Sequence, residues 1–106
     1  TVVATRCEFA NSFFGAEVRG SLSSATFKNC VFHDNRVEGI EGTSSTIHLH
    51  GESTALHSNG NNGISAYAFC KVIIHLPSNH KTCYNNGVRN GDTFTHGGGT
   101  ITNVED

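Results

Sequence analysis

Histidine is the residue type whose number and spacing bear most directly on chemistry in this chain. Seven histidines stand among 106 residues that carry seven Lys and Arg and nine Asp and Glu, for a formal charge of −2. Imidazoles titrate near neutrality, so mild acid moves that charge toward positive values and lets solubility and surface contacts respond. His48 and His50 sit at alternate positions and share one face of any strand they occupy, and His75 follows His48 at an interval of 27 (75−48). Three imidazoles gathered in this way form a donor set for zinc or copper. The spacing lacks the tight Cys and His pairs of known zinc folds, so the expectation is an outward polar ladder, with no metal and no cofactor. His48, His50 and His75, with Tyr67, are the residues expected to meet a ligand.

His33 and His57 stand at an interval of 24 (57−33), and Tyr84 takes the matching place one repeat later, which predicts a stack of rings. Catalysis on acidic polysaccharides needs converging acids, with a cation to stabilise developing charge. The same interval added to Asp34, Glu38 and Glu41 leads to Ser58, Asn62 and Ser65, which predicts no carboxylate cluster and no catalytic residues. Cys7 and Cys30 hold equivalent places in successive repeats, leaving open a stapling disulfide or two small apolar side chains facing inward. Cys70 and Cys83 align poorly for a bridge. No Cys-x-x-Cys or Cys/His catalytic arrangement is present, which argues against a thiol enzyme.

The elements that must position these residues are announced by asparagine. Asn11, Asn35, Asn59 and Asn86 recur at intervals of 24, 24 and 27 (35−11, 59−35, 86−59), each followed shortly by a turn former. A period of that length between short apolar runs predicts an all-β solenoid of about 24 residues per coil and a little over four coils. Asparagine suits a left-handed corner, and stacked amides can hydrogen-bond along the column, so these four are expected to form a structural ladder. Two strands are read per coil. Their inward columns are Ala25, Phe27, Cys30, Phe32, Ile47, Leu49, Leu56, Ile74, Leu76 and Cys83. The extra length of the longest repeat is placed between Gly63 and Leu76, since a loop absorbs an insertion that a stacked strand cannot.

Twelve glycines, one proline and no Met or Trp suit many tight turns and argue against long helices. With 15% charged residues, the chain shows no footprint for nucleic acid, and no apolar run is long enough for a transmembrane segment. The single domain, residues 1–106, begins at Thr1 and is expected to be a processed form, part of a longer chain, or a subunit of an assembly.

The stretch Ala25-Thr26-Phe27-Lys28-Asn29-Cys30-Val31-Phe32-His33-Asp34-Asn35, closing with Glu38-Gly39-Ile40, resembles the repeats of the chlamydial polymorphic outer-membrane proteins, with their Phe-x-x-Asn and Gly-Gly-Ala-Ile signatures. Leu56-His57-Ser58-Asn59 and Cys83-Tyr84-Asn85-Asn86 follow the first signature with the Phe replaced, and Phe9-Ala10-Asn11 is one residue short. The resemblance implies a right-handed parallel β-helix in an extracellular or cell-surface protein, acting as a structural or adhesive module. Pectate-lyase-like enzymes and alginate epimerases share that fold, and they imply the alternative of a carbohydrate-binding or polysaccharide-modifying protein. Either reading leaves open coil ends, so self-association, a filament or a capping partner is expected, with glycans as further ligands.

Overall fold

The computed structural model describes residues 1–87 and 91–105. Within them the chain winds through three parallel sheets and forms no helix, so none crosses a membrane. Strands are numbered along the chain. The first sheet stacks β1 (Val2–Thr5), β4 (Ser24–Lys28), β7 (Thr46–His50), β10 (Lys71–His75) and β13 (Thr100–Asn103). The second stacks β2 (Glu8–Ala10), β5 (Val31–His33), β8 (Ala55–His57) and β11 (Cys83–Tyr84). The third stacks β3 (Phe14–Arg19), β6 (Glu38–Thr43), β9 (Asn62–Tyr67) and β12 (Thr93–His96). The solenoid is therefore present, with a third strand in each coil where the sequence reading placed only a turn.

About three turns keep the expected repeat length, fewer than the four read from the sequence. From β1 to β10 the paired residues Ala4, Phe27, Leu49 and Ile74 follow at intervals of 23, 22 and 25 (27−4, 49−27, 74−49), whereas Ile74 and its partner Asn103 are separated by 29 (103−74). Loops outside the sheets take up the variation, because a strand that slipped by one residue would turn its apolar set outward.

Alternation within each strand builds the core. Ala25, Phe27, Ile47, Leu49, Val72 and Ile74 face inward from the first sheet, and Phe32 and Leu56 do so from the second. Ile40, Ile64 and Ala66 complete the interior from the third sheet. Phe9 stacks on Phe32 at 4.8 Å between centroids, and Phe27 meets Phe32 edge-on at 5.0 Å, the offset and perpendicular geometries that aromatic quadrupoles favour. Nine of the ten residues assigned to inward columns are buried, and Cys83 packs against the same cluster.

The asparagine column divides into two. The left-handed corner between the second and third sheets is occupied by Asn11, Asp34, Ser58 and Asn85, with φ from 54° to 61°. The next residue along is the ladder. Asn35 donates through Nδ2 to Asn59 Oδ1 at 2.9 Å and to the Phe9 carbonyl at 3.1 Å, and its backbone N–H donates to the same Oδ1. Asn59 repeats the pattern with Asn86 Oδ1 at 2.9 Å and the Phe32 carbonyl at 3.1 Å.

Asn11 is thus a corner residue and lies outside the ladder: its N–H donates to Asp34 O, while Ser12 N–H donates to Asn35 Oδ1. At the other end Asn86 donates through Nδ2 to Asp92 Oδ1 at 3.1 Å, so a carboxylate closes the column. Every buried side-chain polar atom among the described residues has a partner.

Candidate functional site

The first sheet brings three of the four expected ligand residues together. Ile47 and Leu49 are fully buried, which turns His48 and His50 of β7 outward on the same face. His75 ends β10 and lies beside His50 in register, while Ile73 lies beside His48. The expected pairing of His48 with His75 is therefore displaced by two positions. One extra residue falls between β9 and β10, where Ala68 and Phe69 both take positive φ, and two fall between β10 and β11, in the segment from Leu76 to Thr82. A shift of two preserves the facing of every side chain, so all three histidines remain on one surface.

The His50 and His75 rings stack at 4.0 Å with 9° between planes. His48 Nδ1 and His75 Nε2 share a diagonal hydrogen bond at 2.9 Å, with the tautomers deciding which nitrogen donates. All three residues are half-buried, and one nitrogen from each lies within 4.8 Å of the others. Below them in register are Thr26, beside His48, and Lys28, beside His50. The surface is rich in nitrogen donors and offers an imidazole cluster bordered by a lysine.

Tyr67 does not join this cluster. It ends β9 on the third sheet, with its ring 5.7 Å from Phe94 and 6.5 Å from His96. Asp92 is engaged in closing the asparagine ladder, so His75 and Asp92 serve different parts of the structure. Cys7 and Cys30 are free thiols, the first exposed and the second buried, with Cys30 Sγ donating to the carbonyls of Ala4 and Lys28. Of the two arrangements left open for this pair, the structure has no bridge. Burial, with Asp92 adding to it, pushes the Cys83 thiol up to about 12, where it stays protonated and unreactive.

The second sheet carries the expected ring stack, with His33 5.2 Å from His57 and His57 5.0 Å from Tyr84, the planes within 9°. His33 also bridges two carboxylates, Asp34 at 2.5 Å and Glu8 at 2.6 Å. These hydrogen bonds, Asp34 first, hold its imidazole above the usual histidine range. A raised folded value contributes stability that is complete below the unfolded value near 6.5 and is lost as pH rises through the folded one. Replacing His33 with glutamine should therefore lower the melting temperature more at pH 5.5 than at pH 8.5, as thermal unfolding at the two pH values will show.

One coil forward, Glu38 lies beside Asn62 and Glu41 beside Ser65, as the period predicts, and the acidic neighbour lies in the other direction. Glu41 has its in-register partner one coil back, at Glu17 on β3. Partial burial and then the charges of Glu17 and Glu38 raise the Glu41 carboxyl, and Arg19 pairs with Glu17 at 3.1 Å. Burial likewise raises Glu38, opposed by hydrogen bonds from Ser65 and Asn62. The signal was available in the sequence, since Glu17 and Glu41 keep the interval of 24 (41−17) seen between the asparagines.

Compared with known proteins, the chain matches no family model, no curated protein and no solved structure.

Proposed function

We propose that this chain is a non-enzymatic structural module of an extracellular or cell-surface protein, which associates through its first coil. The observation that carries this reading is the open end of the solenoid. A concavity of about 530 Å³ is lined there by Ala4, Phe9, Ala16, Val18, Ala25 and Phe27, and bordered by polar side chains that include Glu17, Arg19, Ser23 and Ser24. Of the seven large apolar residues exposed among the described residues, Val2, Val3, Phe13 and Leu22 belong to this coil. β1, β2 and β3 each pair on one side only, so all three sheets present an edge at the same end. Such an edge is a template for another strand layer.

The occupant that fits is a coil of the same kind, supplied in the isolated chain by a second copy. The short Phe32-His33-Asp34-Asn35 motif supports the surface-module reading, through its likeness to chlamydial surface repeats. Light scattering after size-exclusion chromatography should show association that rises with concentration and falls when Val2 is replaced by lysine. A monomer at millimolar concentration would overturn the self-association.

A second reading, glycan binding, is favoured by the aromatic strip on the third sheet. Phe94 and His96 of β12 are exposed and near-parallel, 6.3 Å apart, beside Tyr67. Aromatic faces of this kind suit the apolar faces of sugar rings. Glycan-array binding that is abolished by Phe94→Ser would establish it.

A further inference from the structure

We propose that His48, His50 and His75 bind a divalent transition-metal ion, of the class of zinc or copper, on the outer face of the solenoid.

Chemistry and geometry both support it. Three neutral imidazoles form a borderline donor set that suits zinc, copper and nickel and is poorly matched to calcium or magnesium, which require oxygen. Tetrahedral zinc with bonds of about 2.0–2.1 Å sets its nitrogen donors about 3.3 Å apart. His48 Nδ1 and His75 Nε2 stand 2.9 Å apart, and one nitrogen from each of the three residues lies within 4.8 Å of the others, which is the scale of such a site. Because the His50 and His75 planes are stacked, convergence on one ion requires rotation about the broad terminal torsions of these rings.

The backbone supplies the pre-organisation. His48 and His50 are fixed on one strand by the buried Ile47 and Leu49 between and beside them. His75 is fixed on the next strand by parallel pairing along the whole of β10. Among the described residues, no other three His, Cys, Asp or Glu side chains come together as closely. Three ligands leave a tetrahedral ion one position for water or a partner's donor. Lys28, in register with His50, and Lys71 on β10 add positive charge nearby, which favours an imidazole site of moderate affinity over a tight one.

The test is zinc titration by calorimetry at pH 7.5, with the thiols kept reduced, on the whole chain and on His48→Gln, His50→Gln and His75→Gln. One ion per chain is expected, with at least about tenfold weaker binding in each variant, the scale reached even by outer partners of metal ligands. His57→Gln and His80→Gln should bind as the parent does. Circular dichroism will report whether each variant is folded. For any that is not, imidazole ¹⁵N spectra of the parent chain give an independent readout, in which zinc should shift His48, His50 and His75 selectively. Absence of binding at 100 μM zinc, or loss spread equally over all seven histidines, would overturn the proposal. So would binding that survives replacement of all three.

Discussion

Replacing Asn59 with leucine should cost about 3–5 kcal/mol of folding stability, a large share of the roughly 5–15 kcal/mol that holds a domain of this size together. Asn59 is buried and its side chain ties three residues together: it accepts from the N–H and the Nδ2 of Asn35, and donates to Asn86 Oδ1 and the Phe32 carbonyl. Leucine fills the volume and removes every one of these bonds. The Asn35 N–H and the Phe32 carbonyl are then left in the interior without these partners, each costing about 1–3 kcal/mol. Aspartate at position 59 should be no better, since its second oxygen would face the Phe32 carbonyl and Asn86 Oδ1, both acceptors. Asn11→Gly is the contrasting case. Its left-handed φ of 61° is one that glycine adopts freely, so stability should change by less than about 1 kcal/mol. Urea unfolding of the three variants measures all of these values.

Gly39→Ala should be nearly as damaging, for a steric reason. A Cβ on Gly39 would lie 2.6 Å from the carbonyl oxygen of Gly63 and 2.9 Å from Asn59 Nδ2. The first of these atoms is backbone of the next coil, and the second is held in the ladder, so neither can yield cheaply. A loss of about 3 kcal/mol is expected, at the upper end of typical overpacking costs. Because the clash falls on Asn59, combining Gly39→Ala with Asn59→Leu should cost less than the two losses added together. Unfolding of the double variant will show that shortfall.

The solenoid was legible because its signal is carried by burial, which recurs in each coil. Phe32 and Leu56, one period apart, and Ala25-Phe27 followed by Ile47-Leu49, are fixed by the core they share. The third sheet was harder to see. Its strands open with Glu38-Gly39 and Asn62-Gly63, a composition that resembles turns, yet Ile40 and Ile64 repeat at the same period and are completely buried. Glycine is required there by close approach between coils, so it marks a strand where it would ordinarily mark a loop.

The asparagine period misled in one place because asparagine performs two jobs at adjacent positions. Asn11 and Asn85 turn the corner, whereas Asn35, Asn59 and Asn86 fill the ladder. An even spacing from Asn11 to Asn35 therefore joined two different columns. The histidine face tolerated a comparable error. Matching Leu49 to Leu76 displaced β10 by two positions, but two is the period of a strand, and the three imidazoles stayed on one side. What the sequence did not reveal was the register that sets His75 beside His50, which depends on how the extra residues divide between two loops.

Asn35, Asn59 and Asn86 form a buried structural ladder that sets the register of the coils. Hydrogen exchange of the side-chain amides tests it most directly. The Nδ2 protons of Asn35, Asn59 and Asn86 should exchange only through global unfolding, while those of Asn11 exchange at the rate of an exposed amide. Fast exchange at Asn59, or protection at Asn11 equal to that of the other three, would contradict the account.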